Sequence, residues 1–205
     1  MKNNGLSITN LISCLLFIGL LSGCMTSKST TPEETSKHLG AIALLPVDAR
    51  LLNGEVTNGN TILDQVLNAY VQDNNIKGIK TVSQEQQDTM RIKFNQPRLE
   101  EAISLGRELK VQGVLITNLT RFHERGGKEY SVTTPASIAF DYRLLEIESG
   151  ETLCTGSFDE TQQSFSENVL SLGKIWKRGG KWITAAELAR EGVEESFKEC
   201  QYLTP

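Results

Sequence analysis

The apolar positions of this chain change their pattern three times. Residues 11–21 (LISCLLFIGLL) form an almost unbroken apolar run, preceded by a single charge, Lys2. That is the layout of an export signal. At roughly eleven residues the run falls short of the ~20 that a membrane-crossing helix needs, so it is predicted to be removed. Residues 25–37 (MTSKSTTPEETSK) then lose apolar periodicity altogether. They cannot bury enough surface to offset the entropy of ordering, and read as a short flexible tether.

From Gly40 onward the patterns are those of a folded domain. Residues 41–47 (AIALLPV) are a short apolar run broken by Pro46, the signature of a strand buried on both faces. An Asn- and Gly-rich loop (53–60) comes next. Thr61 is then placed to cap a helix in which Ile62, Val66, Ala69 and Tyr70 recur at helical spacing, ending near Asn74. Residues 78–82 read as a second strand, and 97–109 (PRLEEAISLGREL) as a second helix with Leu99, Ala102, Ile103, Gly106 and Leu109 on one side. Residues 111–123 form a long apolar strand whose later half alternates, as if one face were exposed. A turn rich in charge and glycine occupies 124–128. Residues 137–147 (SIAFDYRLLEI) and 152–158 (TLCTGSF) flank the polar loop 148–151 and predict a hairpin, which makes three antiparallel strands in succession. A last helix begins with Thr184 as N-cap and Glu187 three residues on, and runs through Leu188, Val193 and Phe197. The expected fold is α/β: a single domain with a mixed sheet of about five strands and helices packed on it, in the order βαβαβββα.

Leu21-Ser22-Gly23-Cys24 closes the apolar run and resembles the lipobox of bacterial lipoproteins. The resemblance implies cleavage before Cys24 and lipid attachment to it, with several acyl chains supplying stable anchoring where one would not. Met25 stands where an aspartate would imply inner-membrane retention, so the resemblance to sorted lipoproteins implies an outer-membrane anchor facing the periplasm. The chain thereby divides into a signal peptide (1–23), a lipidated tether (24–38) and a periplasmic domain (39–205). Removal of the signal leaves 182 residues, enough for one hydrophobic core. The whole chain has 21 basic and 25 acidic side chains, and Lys2 is the one charge lost with the signal. The mildly acidic remainder has no electrostatic footprint for nucleic acid, which is excluded as a partner. Cys14 leaves with the signal; Cys154 and Cys200 stay, in a compartment where a bridge between them can persist. The sequence is compatible with that bridge and equally with two unpaired thiols.

The apolar strand ending in proline, the β-α-β half, the long strand and the hairpin joined by Ser149-Gly150-Glu151 together resemble the superfamily that includes the TolB amino-terminal domain. Related lipoproteins in it are the penicillin-binding-protein activator and the curli secretion lipoprotein. Residues 41–47, 113–121 and 139–156, above all Phe140-Asp141-Tyr142-Arg143-Leu144-Leu145, carry the likeness. The curli-type member implies a pore, which would need paired membrane strands of about 9–11 alternating residues; no convincing pair is present. The activator-type member implies a partner-binding domain on a long tether, where this one is short.

Candidate chemistry is sparse. There is no Gly-rich phosphate loop, GxSxG, HExxH or ligand cluster, so neither a catalytic residue, a cofactor nor a metal is expected. His38 and His123 read as solvated side chains, as do Asp159 and Glu160, which as strand neighbours point to opposite faces. The unusual stretch is residues 162–182 (QQSFSENVLSLGKIWKRGGKW), with both tryptophans and four basic side chains. One reading is a cover in which Val169, Leu170, Leu172, Ile175 and Trp176 pack on the sheet and Trp182 staples the last helix. The other makes Phe165, Trp176, Lys177, Arg178 and Trp182 an exposed partner-binding patch, because aromatics and arginine dominate interface hot spots. The functional expectation is a non-enzymatic envelope lipoprotein that binds another envelope protein as adaptor or assembly subunit. A ring- or pore-forming subunit, which would be a homo-oligomer, and a small-ligand-binding module or hydrolase are the alternatives.

Overall fold

The computed structural model describes residues 39–49, 58–82, 85–86, 99–163 and 172–205. The expected export segment and tether, with Cys24, and Phe165 lie outside the described residues. Strand β1 (Ile42–Leu44) is buried on both faces, and beyond Pro46 the two-residue β2 (Asp48–Ala49) continues along the sheet. Helix α1 (Gly59–Asp73), β3 (Ile79–Thr81), α2 (Leu99–Glu108) and the eleven-residue β4 (Gly113–His123) come next. A hairpin of β5 (Gly126–Lys128) and β6 (Ser131–Thr134) leads into β7 (Ser137–Glu146) and β8 (Thr152–Thr161). The short α3 (Leu172–Lys177) and α4 (Ala185–Phe197) complete the chain.

The main sheet runs β3-β1-β4-β7-β8, with β2 also pairing β4. β1 is parallel to β3 and β4, while β4, β7 and β8 are antiparallel neighbours, so the sheet is mixed. This is the expected α/β domain, with helices on both faces. Ile42 and Leu44 point to one side and join Leu115, Leu119, Phe140, Tyr142 and Leu144 in a large core under α1 and α4. Ala43 and Leu45 point to the other, against Val114, Ile116, Leu145 and the α2 residues Ala102 and Leu105. Beyond α2 the same face turns polar: Asn118 donates a 2.8 Å hydrogen bond to Asp141, and Arg121 pairs with Asp159.

Three sequence expectations need correction. Helix α1 starts before Thr61, at Gly59, where a Cβ would stand 2.5 Å from the Phe122 ring. Close approach to the sheet, which only glycine allows, sets that start in place of a side-chain cap. The charged turn at 124–128 contains a strand and opens a two-stranded hairpin of its own, too short for alternation to reveal. Residues 172–177 form a helix, an element absent from the expected order βαβαβββα.

The last helix has the predicted capping box: Glu187 N–H donates to Thr184 Oγ1 and Thr184 N–H donates to the Glu187 carboxylate. The bond from Thr184 N–H, joined by one from Thr184 Oγ1 to the same carboxylate, holds the Glu187 carboxyl below the ordinary glutamate range. Glu124, at the end of β4, accepts from Ala185 N–H at 3.2 Å, so the helix start is fixed to the sheet end. At the other end of α4, Cys200 is bonded to Cys154 of β8, with 5.8 Å between their Cα atoms. The phenols of Tyr142 and Tyr70 donate to Ser196 O and Leu203 O, which satisfies them inside the core. Burial pushes both phenols above their ordinary pKa, so they remain donors.

Candidate functional site

β8 ends beside α4, and three side chains tie the chain down between the two. The carboxamide of Gln162, 4% exposed, donates to Lys181 O and accepts from Ile183 N–H, both at 3.0 Å, and so acts as a strand partner for residues 181–183. Trp182 N–H donates to Glu129 O at 2.8 Å, which joins this segment to the β5–β6 turn. Arg178 reaches inward: its Nη2 lies 2.8 Å from Glu160 of β8 and 2.5 Å from Glu191 of α4, and its Nε lies 3.1 Å from Glu191. Lys174 extends the network to Glu160 at 2.7 Å and to Glu195 at 3.3 Å, with its ammonium 5.7 Å from the centre of the Phe158 ring.

The electrostatics reflect this geometry. Burial alone would raise the Glu160 carboxyl, yet the hydrogen bonds from Lys174 and Arg178 outweigh it and hold it below the usual glutamate range. Burial likewise opposes the charge on Arg178, and Glu191 and Glu160 overcome it, raising its pKa. Arg178 is thus a latch between β8, α3 and α4, with a side chain only 3% exposed. Its removal leaves Glu191, 26% exposed, without a cation while Glu160 keeps Lys174, so the cost should fall below that of breaking a fully buried pair. Arg178→Met is expected to destabilise by about 2 kcal/mol in urea titrations. Because the folded Glu160 pKa is depressed, the stabilisation from its pairing is present above the unfolded carboxyl pKa and lost as pH falls through the folded value. Stability of the Met variant should accordingly fall less steeply over that acid range.

The patch expected from sequence is therefore rearranged. Arg178 is internal, since two facing carboxylates give it a better site than water, and Trp182 is half-buried behind Glu129. Trp176 does not pack on the sheet: it is 83% exposed, beside exposed Lys177. The β5–β6 turn adds Tyr130, 71% exposed, with the Lys181 ammonium 5.9 Å from its ring centre and 3.5 Å from the Glu129 carboxylate. Sequence reasoning missed Tyr130 and Lys128. The signal available was an aromatic beside Lys128 and Glu129 in a glycine-rich turn, but nothing in the sequence placed that turn against residues 181–182. Gly179 and Gly180, at φ 65° and 71° with open space around them, let the chain reverse between α3 and the clamped segment 181–183.

The resulting tip, comprising the β5–β6 turn and residues 176–182, adjoins the end of the sheet where β4 finishes and β8 stops. The chain enters at the opposite end, where Ile42 pairs with Gly113. Eleven residues of β4 at ~3.3 Å each put about 35 Å between the two ends. Among the described residues no group of three His, Cys, Asp or Glu could hold a metal, and no helix is long and apolar enough to cross a membrane.

No protein-family model and no curated protein sequence matches this chain. Among solved structures it is similar to the PelC dodecamer from Paraburkholderia phytofirmans, with a TM-score of 0.51 and 9% identity over 80% of this chain and 89% of that one. The lipoprotein GNA1162 from Neisseria meningitidis gives 0.43 and 15% identity, covering 68% and 94%. The C-terminal domain of LpoB from Escherichia coli gives 0.41 and 16%, covering 61% and 85%. At such identities a likeness speaks for fold alone, and the fold this chain shares is that of the PelC subunit.

Proposed function

We propose that this chain is an exported lipoprotein, anchored through Cys24 to the outer membrane, whose domain binds another envelope protein in the periplasm as a non-enzymatic adaptor. The observation that carries the proposal is the exposed Trp176 on a clamped platform. Lys174 and Arg178 fix the segment that carries this indole before binding, so docking it would cost little further backbone entropy. A large aromatic presented in that way is what a binding hot spot consists of. The names of GNA1162, a lipoprotein, and LpoB fit this reading without carrying it.

A photo-crosslinker at exposed Ser131 of the full-length chain tests the proposal in living cells. Capture of one envelope protein is expected, with loss of capture in Cys24→Ala and in Trp176→Ala. Trp176→Ala should leave folding stability within about 0.5 kcal/mol, as for a surface substitution away from any packing. Undiminished capture by the Trp176 variant would remove the indole from the interface.

A second reading, a ring subunit, draws on the shared fold, because PelC assembles as a dodecamer. Native mass measurement of the purified chain separates the two: an adaptor is expected as a monomer, a ring as a closed multiple.

A further inference from the structure

We propose that the outer edge of β8 takes up an extended segment of the partner protein as an added strand. This rests on the adaptor reading and specifies how the partner is held. β8 ends the main sheet and pairs with β7 on one side. Glu146 N–H donates to Glu151 O, on the β8 side, whereas Ile147 N–H donates to Gln112 O, on the β4 side, so the even-numbered residues of β7 bond to β8. Their partners in register are Cys154, Gly156 and Phe158. Thr155, Ser157 and Asp159 therefore direct N–H and C=O away from the sheet, and all three residues are exposed. Among the described residues these backbone groups have no partner. Natural edges are blunted by lysine, proline or a bulge. β8 contains neither residue, and its register shift lies at Leu153, before the free stretch begins.

The surroundings select the occupant. On α4, Gly192 faces Phe158 of β8, and Phe197 faces Tyr70 of α1. At about 100° per residue, Glu191 and Glu195 stand beside Gly192 on the side away from Phe197. Arg178 and Lys174 reach those carboxylates and Glu160, so α3 lies outside α4, on the edge side of β8. A second copy paired antiparallel through its own residues 155, 157 and 159 would carry its helical layer on the same face, into the space of α3. Paired parallel, it would set Asp159 and Glu160 against their own counterparts, which like-charge repulsion opposes. A single extended segment brings no helical layer. The partner thus contributes a strand of alternating character, with apolar side chains beside Phe158 and hydroxyl- or amide-bearing ones beside Thr155 and Ser157 on the open face. Main-chain hydrogen bonds give the affinity and the alternating side chains the specificity.

The test places a photo-crosslinker at Thr155 of the full-length chain in living cells. Capture of one envelope protein is expected, with the adducts mapping to a single run of residues in it. Ser157→Ala keeps every backbone group and should capture as well as the unmodified chain. Ser157→Pro removes an outward N–H and should lose at least about tenfold in adduct, with thermal melts to establish that it is folded. A second measurement does not depend on that variant. The mapped run, synthesised as a peptide and added to the purified chain, should slow amide exchange at Thr155, Ser157 and Asp159 by at least about tenfold, while Gly156 and Phe158, already bonded to β7, change little. Undiminished capture by folded Ser157→Pro, self-capture, adducts scattered over several segments, or unchanged exchange at the three outward amides would overturn the added strand. Capture from Ser131 with none from Thr155 would do the same and leave the adaptor reading standing. Absence of protein capture from Thr155, Ser131 and every other exposed face would overturn the adaptor reading itself.

Discussion

Phe197→Ala is expected to cost about 4 kcal/mol of folding stability, the largest effect of any single substitution proposed for this chain. Phe197 is fully buried, and its ring meets the Tyr142 ring edge-on at 4.7 Å and the Tyr70 ring at 5.3 Å between centroids. Truncation removes both contacts and leaves a cavity, whose cost depends on how far the neighbours relax into it. Here they are restrained. The Tyr142 hydroxyl is committed to Ser196 O and that of Tyr70 to Leu203 O, so neither ring can move in without losing a buried hydrogen bond. Urea unfolding should show a lower midpoint at unchanged slope, and Phe197→Leu should recover more than half of the loss. A cost below about 1.5 kcal/mol would mean that the aromatic cluster is not packed as described.

Loss of the Cys154–Cys200 bond comes next, at about 3–4 kcal/mol. The bond closes a sequence separation of 46 residues that contains part of β8, α3 and all of α4, so opening it enlarges the unfolded ensemble substantially. Cys200 is 1% exposed and its neighbour Leu203 fully buried. Reduction therefore also frees the last residues to fray away from α1. Denaturation with and without reductant, compared with the Cys154→Ser, Cys200→Ser double variant, should give the same difference by both routes. Equal stability of oxidised and reduced protein would show that the segment after α4 is held by packing alone.

Most of the sheet was legible in the sequence because its strands obey simple rules. Residues 41–47 are apolar on both faces, and β1 lies in the sheet interior between β3 and β4. Residues 137–147 and 152–158 flank a polar turn, and β7 and β8 pair through it. The Thr184–Glu187 capping box placed the start of α4 to the residue. Sequence could not supply the relations between distant segments. Arg178 looks like any surface arginine until Glu160 and Glu191, 18 residues before and 13 after it, are brought to its guanidinium. The same holds for Tyr130, which becomes part of a candidate site only because Trp182 pairs with Glu129. Composition drew attention to residues 162–182, yet it could not distinguish the internal Arg178 from the exposed Lys177 beside it.

The placement of α4 in the chain also governs when the protein can fold. Synthesis proceeds from the amino terminus, and α4 with Cys200 and Leu203 follows every strand of the sheet. Until then, among the described residues, α1 alone covers the sheet face formed by Leu115, Leu119, Phe140, Tyr142 and Leu144, and its aromatic cluster lacks Phe197. A chain that stops before α4 leaves this face without Leu188, Val193 and Phe197, and so without the packing on which a marginally stable native state depends.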